Sequence, residues 1–154
     1  MSLTNASPEE AARAAKTASR KLAVLPTKAR NDALTAIHDA LSSSKDEILQ
    51  ANASDLVAAT RSAANGELSQ SMLKRLDLSR KGKWEDMLSG ILDVRELDDP
   101  VGRIDLRTEL DDGLLLHRQS CPIGVLLIIF EARPEVIANI ASLAIKSANA
   151  AILK

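Results

Sequence analysis

Residues 122–154 read PIGVLLIIFEARPEVIANIASLAIKSANAAILK, and the fold class turns on how this stretch divides. Gly124 to Phe130 is apolar without alternation and rich in leucine and isoleucine, the pattern of a strand covered on both faces rather than one. Pro134 suits the first position of a helix, where no backbone N–H is needed, and Val136, Ile137, Ile140 and Ala144 are expected on that helix's inward side. Ala150 to Leu153 is again apolar throughout. Strand, helix and strand with a crossover of this length form a right-handed βαβ unit, so the sheet is parallel and the class is α/β.

In an open parallel sheet, ligands gather at the carboxyl ends of the strands. Here that edge carries Glu131, Ala132 and Arg133 after the first strand and Lys154 after the second. Arg133 precedes a proline, which biases it toward extended backbone and lets its guanidinium project where the next helix points its free amides. A bidentate guanidinium suits a phosphate or acyl phosphate, whereas the Lys154 ammonium suits ribose hydroxyls or a 2′-phosphate. Glu131 and Arg133 have a plainer use as well, pairing with each other or with a neighbouring loop as a structural bridge. Spacing alone leaves both readings open. The G-x-G-x-x-G loop of ordinary dinucleotide sites is missing.

Upstream, residues 8 to about 97 carry helical periods. Ser7-Pro8-Glu9-Glu10 has a capping hydroxyl, a proline at the first helical position and a carboxylate where a capping box wants one, so a helix should run from Pro8 to about Leu22. After Pro26, Leu34, Ile37 and Leu41 form one stripe. Ser44-Lys45-Asp46-Glu47 repeats the capping-box pattern, Ser54 offers another cap and Asn65-Gly66 tolerates positive φ, which together predict short helices or broken turns. Trp84, Leu88, Ile91 and Leu92 predict an amphipathic helix from Lys81 to Val94, with Trp84 as a core anchor. The basic cluster Arg80 to Lys83 reads as a helix start facing water. Beyond Pro100 the period changes: Ile104 and Leu106 alternate with charged residues, and Asp111-Asp112-Gly113 favours the tight turn of a long β-hairpin.

Composition excludes several functions. The chain has 154 residues, 45% of them hydrophobic and 27% charged, enough for an ordinary core. Twenty basic and 21 acidic residues leave a net charge of −1, which gives no attractive field for nucleic acid. Met1 to Lys16 has no apolar leader, and the longest apolar run, Ile123 to Phe130, falls far short of the roughly 20 residues of a membrane span, so no membrane association is expected. One cysteine, Cys121, excludes a disulfide framework and points to a reducing, cytoplasmic setting. Cys121 is expected to be a small buried residue at the entry of a strand rather than a nucleophile. His38 and His117 have no second ligand at a metal-binding spacing, so no metal is expected.

Residues 122–154 closely resemble the corresponding region of the γ-glutamyl phosphate reductases, also called glutamate-5-semialdehyde dehydrogenases, within the aldehyde dehydrogenase superfamily. FEARPEV and KSANAAILK carry the resemblance, and the upstream helices and hairpin share it more loosely. Glu135 stands where asparagine is frequent, Ala148 where glycine is frequent, and Cys121 where an aliphatic residue is usual. The resemblance implies NADPH-dependent reduction of γ-glutamyl phosphate to glutamate-5-semialdehyde in proline biosynthesis, through a cysteine thioester whose nucleophile lies downstream of these residues. It places Arg133 on the acyl phosphate or oxyanion, Lys154 on the adenosine ribose, and Phe130 and Glu131 along the cofactor cleft. It divides the chain into a helical part of the cofactor domain (1–100), an oligomerisation hairpin (101–121) and the incomplete start of an NADP-binding sheet (122–154). A homo-oligomer is implied, with glutamate 5-kinase as a possible further partner. On this reading the chain is a fragment, silent and poorly stable alone. The rival is a non-catalytic chain that associates with a full-length subunit, and a reading frame continuing past Lys154 to a cysteine motif would distinguish the two.

Overall fold

A computed structural model describes residues 6–154; Met1 to Asn5, part of the stretch read as having no leader, lie outside the described residues. Helix α1 spans Pro8–Leu22 and begins with the expected capping box. The Glu10 N–H donates to Ser7 Oγ at 3.2 Å and the Ser7 N–H donates to Glu10 Oε2 at 2.7 Å. Helix α2, Thr27–Ser43, buries Leu34 completely and packs Ile37 and Leu41 on the same core, as the stripe required.

The next region departs from expectation. Helix α3 is one element of 20 residues, Lys45–Ala64, and no capping box forms at Ser44. A capping residue needs extended backbone, but Ser44 stays near-helical at φ −97° and ψ 14° while Ile48 N–H already bonds its carbonyl at 3.0 Å. Ser54 sits mid-helix and donates to the Gln50 carbonyl at 3.3 Å instead of capping a new turn. The helix ends where Asn65-Gly66 was expected to end it. Gly66 takes φ 79°, and Glu67 N–H to Ser62 O with Gly66 N–H to Ala63 O, at 3.0 and 3.1 Å, close a Schellman motif. A short helix α4, Gln70–Leu76, follows the Ser69 cap and had no clear period of its own. Helix α5, Lys83–Glu96, starts after Gly82 at φ 85°.

Leu34, Trp84, Met87, Ile91 and Ala138 form the buried core, so α2, α5 and the later helix α6 (Pro134–Lys146) share one interior. Trp84 is the anchor it was expected to be, but Ile137 is 45% exposed and not inward. Three of the buried residues of α6 are small, namely Ala138, Ser142 and Ala144, which suits the close passage of α5. A Cβ at Gly90 of α5 would lie 3.4 Å from Asn139 Oδ1.

Strands β1 (Ile104–Asp111) and β2 (Leu114–Gln119) form the predicted antiparallel hairpin, exposed along both strands. Strands β3 (Val125–Ile128) and β4 (Ala150–Leu153) pair in parallel from Val125 opposite Ala150 to Ile128 opposite Leu153, completing the βαβ unit with α6. Helices α1 and α6 both pack on β4, so α1 supplies cover that one crossover helix could not. The edge remains apolar and open, with Ile123 80%, Leu127 61% and Ile129 72% exposed.

Polar groups seal the joints. The buried Arg30 of α2 donates to the Lys146 carbonyl at 2.6 Å and to Asp99 Oδ2 at 2.5 Å. Thr27 also donates to Asp99, while Lys146 Nζ reaches Asn31 Oδ1 at 3.0 Å and the Arg95 carbonyl at 2.6 Å. This network holds the carboxyl end of α6, where cations also meet the negative end of the helix dipole.

Candidate functional site

The sheet ladder continues past its strands. Lys154 N–H donates to the Ile128 carbonyl, and Phe130 N–H donates to the Lys154 carbonyl, each at 2.9 Å. Phe130 and Lys154 are thereby set side by side at the carboxyl edge. The chain then turns through Ala132, a non-glycine residue at φ 54°, into Arg133 at φ −140° and ψ 79°. The following proline keeps Arg133 out of the helical region, though its ψ falls short of the fully extended backbone expected. Arg133 is the N-cap residue of α6, and both Arg133 and Glu131 are exposed.

Among the described residues, Glu131 and Arg133 do not pair, and neither Arg133 nor Lys154 has a carboxylate within ion-pair distance. The edge therefore presents a guanidinium, an ammonium and the start of a helix without an internal counter-anion at either cation. Such a group of donors binds anions. It is open surface: concavities of ≈ 380 and ≈ 320 Å³ lie on α3 and beside the start of α5, and none of Phe130, Glu131, Arg133 and Lys154 lines either. An anion held by a loop and a helix start needs donors more than an enclosed cavity.

Two expectations require correction. Cys121 is exposed, not buried, because it stands in the lead-in between β2 and β3, outside both strands. Lys83 does not simply face water: its Nζ lies 3.0 Å from Glu135 Oε2, with the two side chains 18% and 19% exposed, and it also donates to the Arg75 carbonyl. Lys83 and Glu135 are far apart in sequence and belong to no shared period, so only the packing of α5 on α6 reveals the pair. His117 lies on β2 opposite Arg107, and His38 Nδ1 sits 2.9 Å from its neighbour Asp39.

Fold and edge together define an α/β chain whose βαβ unit gathers cationic donors at the carboxyl ends of a parallel pair. No family model matches the chain. It is 53% identical over 146 residues to the probable gamma-glutamyl phosphate reductase of Schizosaccharomyces pombe, a match covering 95% of this chain and 32% of that protein. It is 50% identical over 148 residues to the gamma-glutamyl phosphate reductase of Saccharomyces cerevisiae, covering 96% of this chain and 32% of the relative. The crystal structure of gamma-glutamyl phosphate reductase from Saccharomyces cerevisiae superposes with a TM-score of 0.91 at 50% identity, over 96% of this chain and 37% of that one. The Thermotoga maritima enzyme of the same name superposes with a TM-score of 0.84 at 32% identity, over 94% and 34%. Over nearly all of its own length the chain is similar to gamma-glutamyl phosphate reductases, and it spans about a third of the length of the curated relatives it matches.

Proposed function

We propose that the chain forms part of an enzyme that reduces γ-glutamyl phosphate with NADPH to glutamate-5-semialdehyde, releasing inorganic phosphate and NADP⁺, in proline biosynthesis. The observation that carries this reading is the convergence of Arg133, the start of α6 and Lys154 at one exposed edge of a chain about half identical to reductases of that name. Arg133 holds the dianionic phosphate through paired N–H donors, or the carbonyl oxygen as negative charge develops on it. The positive end of the α6 dipole adds to that attraction, although Pro134 has no N–H and the Val136 N–H is bonded to the Arg133 carbonyl at 3.1 Å.

The donor set also fits a nicotinamide nucleotide. Lys154 offers an ammonium to ribose hydroxyls or a 2′-phosphate, and Phe130 and Glu131 lie beside it along the same edge. When bound, NADPH supplies the hydride that reduces the acyl group. Cys121 has no part in this scheme, since β3 separates it from Arg133. Among the described residues no helix is long and apolar enough to cross a membrane, in keeping with a cytoplasmic location. We further assign residues 1–100 and 122–154 to the cofactor domain and 101–121 to self-association of the complete enzyme, with glutamate 5-kinase the natural supplier of its labile substrate.

The test is Arg133→Lys in the complete enzyme. A point charge replaces the planar fork, so KM for the acyl phosphate should rise, or turnover fall, by about tenfold. Unchanged kinetics would remove Arg133 from this role.

A further inference from the structure

We propose that Lys83 is a positioning residue for the anion edge: it holds the Glu135 carboxylate against α5 and so keeps the first turn of α6 open to a phosphate-bearing substrate. The proposal rests on the reading of that edge given above. Glu135 is the second residue of α6 and lies two positions from Arg133. A carboxylate there is drawn to the positive end of its own helix dipole, where it would compete with a bound phosphate and repel it. Instead its Oε2 lies 3.0 Å from Lys83 Nζ, across the α5–α6 contact.

The two partners depend on each other unequally. Glu135 Oε2 is buried and accepts no aligned hydrogen bond, so its charge is met ionically by Lys83. Lys83 has a second partner in the Arg75 carbonyl. Gly82, at φ 85°, starts α5 immediately before Lys83 and so places the lysine at the level of the α6 start. Removing Lys83 releases a negative charge beside the substrate phosphate, whereas removing the Glu135 charge leaves the edge more positive.

The experiment measures KM for inorganic phosphate in the reverse reaction of the complete enzyme, from glutamate-5-semialdehyde and NADP⁺. Lys83→Met should raise this KM by about tenfold with kcat within about twofold, the scale of one uncompensated charge near the site. The pair Lys83→Met with Glu135→Gln should bring KM back to within about twofold of the parent. Glu135→Gln alone, which keeps the lysine anchored at Arg75, should leave KM equal or lower. A rise of KM in Glu135→Gln or a failure of the double variant to recover overturns the proposal, and the double variant leaves no lone charge at the joint. If Arg133→Lys moves KM and Lys83→Met does not, the role of Lys83 falls while the reading of the edge stands. If Arg133→Lys leaves KM unmoved, that reading itself falls.

Discussion

Arg30 is a guanidinium enclosed by protein, 3% exposed, and Asp99 supplies the carboxylate that meets it. Burial alone would raise the Asp99 carboxyl, but hydrogen bonds from Thr27, the Val101 amide and Arg30 outweigh that effect and hold it below the usual carboxylate value. A folded-state value below the unfolded one means that the contribution to stability is complete above the unfolded value, about pH 3.9, and is lost as pH falls through the folded one. Asp99→Asn should therefore cost about 3 kcal/mol at neutral pH, since it leaves Arg30 buried without its counter-charge. In urea denaturation the gap between parent and variant should narrow as pH falls below about 4; an equal gap at pH 7 and pH 3 would show that the charge is irrelevant. Ala132 and Ala148 are the two non-glycine residues described at positive φ, 54° and 56°. Ala148 occupies the left-handed position of a Schellman motif, with Asn149 N–H bonded to Ala144 O and Ala148 N–H to Ile145 O, which is why glycine is the common choice at such a site. Ala132 stores similar strain one residue before Arg133, and strained backbone is a recurrent feature of ligand-binding loops.

At the scale of elements, the joint between α6 and the sheet is held by one side chain. Asn149 Oδ1 accepts from the Gly124 N–H at 2.7 Å, and its Nδ2 donates to the Ser147 carbonyl at 3.1 Å. Asn149 is 5% exposed, so no water replaces those bonds without rearrangement. Asn149→Ala should cost about 2 kcal/mol by leaving a partly buried N–H without a partner, and faster amide hydrogen exchange at Gly124 and Ala150 would locate the damage. Protection unchanged at both positions would show that the joint does not depend on this amide. The hairpin, α1, α2 and the βαβ unit were legible because each depends on residues near in sequence: a cap, a proline, a turn or a period. Helix α3 was not legible as one element, because Ser44 and Ser54 match capping residues in sequence and nothing local reveals that the backbone never leaves the helical region there.

Among the described residues, apolar surface is prominent on the hairpin and around β3. Leu110, Leu114, Leu115 and Leu116 on the hairpin are 52–59% exposed, as are Ile123, Leu127 and Ile129 around β3 to a greater degree. A hairpin exposed along both strands gains little from this fold alone. If it serves self-association, Leu114→Glu with Leu116→Glu should reduce the mass of the complete enzyme in light scattering while leaving its far-ultraviolet circular dichroism unchanged, and an unchanged mass would assign the assembly to other surfaces. The sequence by itself determined the class of fold, the parallel sense of the strand–helix–strand unit and the position of Arg133 and Lys154 at its carboxyl edge. Those follow from short-range rules: a proline constrains the residue before it, and short unbroken apolar runs on either side of a helix of this length read as parallel strands, although β3 is left partly uncovered here. Tertiary structure decided which charges meet. Arg30 with Asp99, and Lys83 with Glu135, pair across distant helices, and whether a polar residue faces a partner or water depends on the helix packed against it.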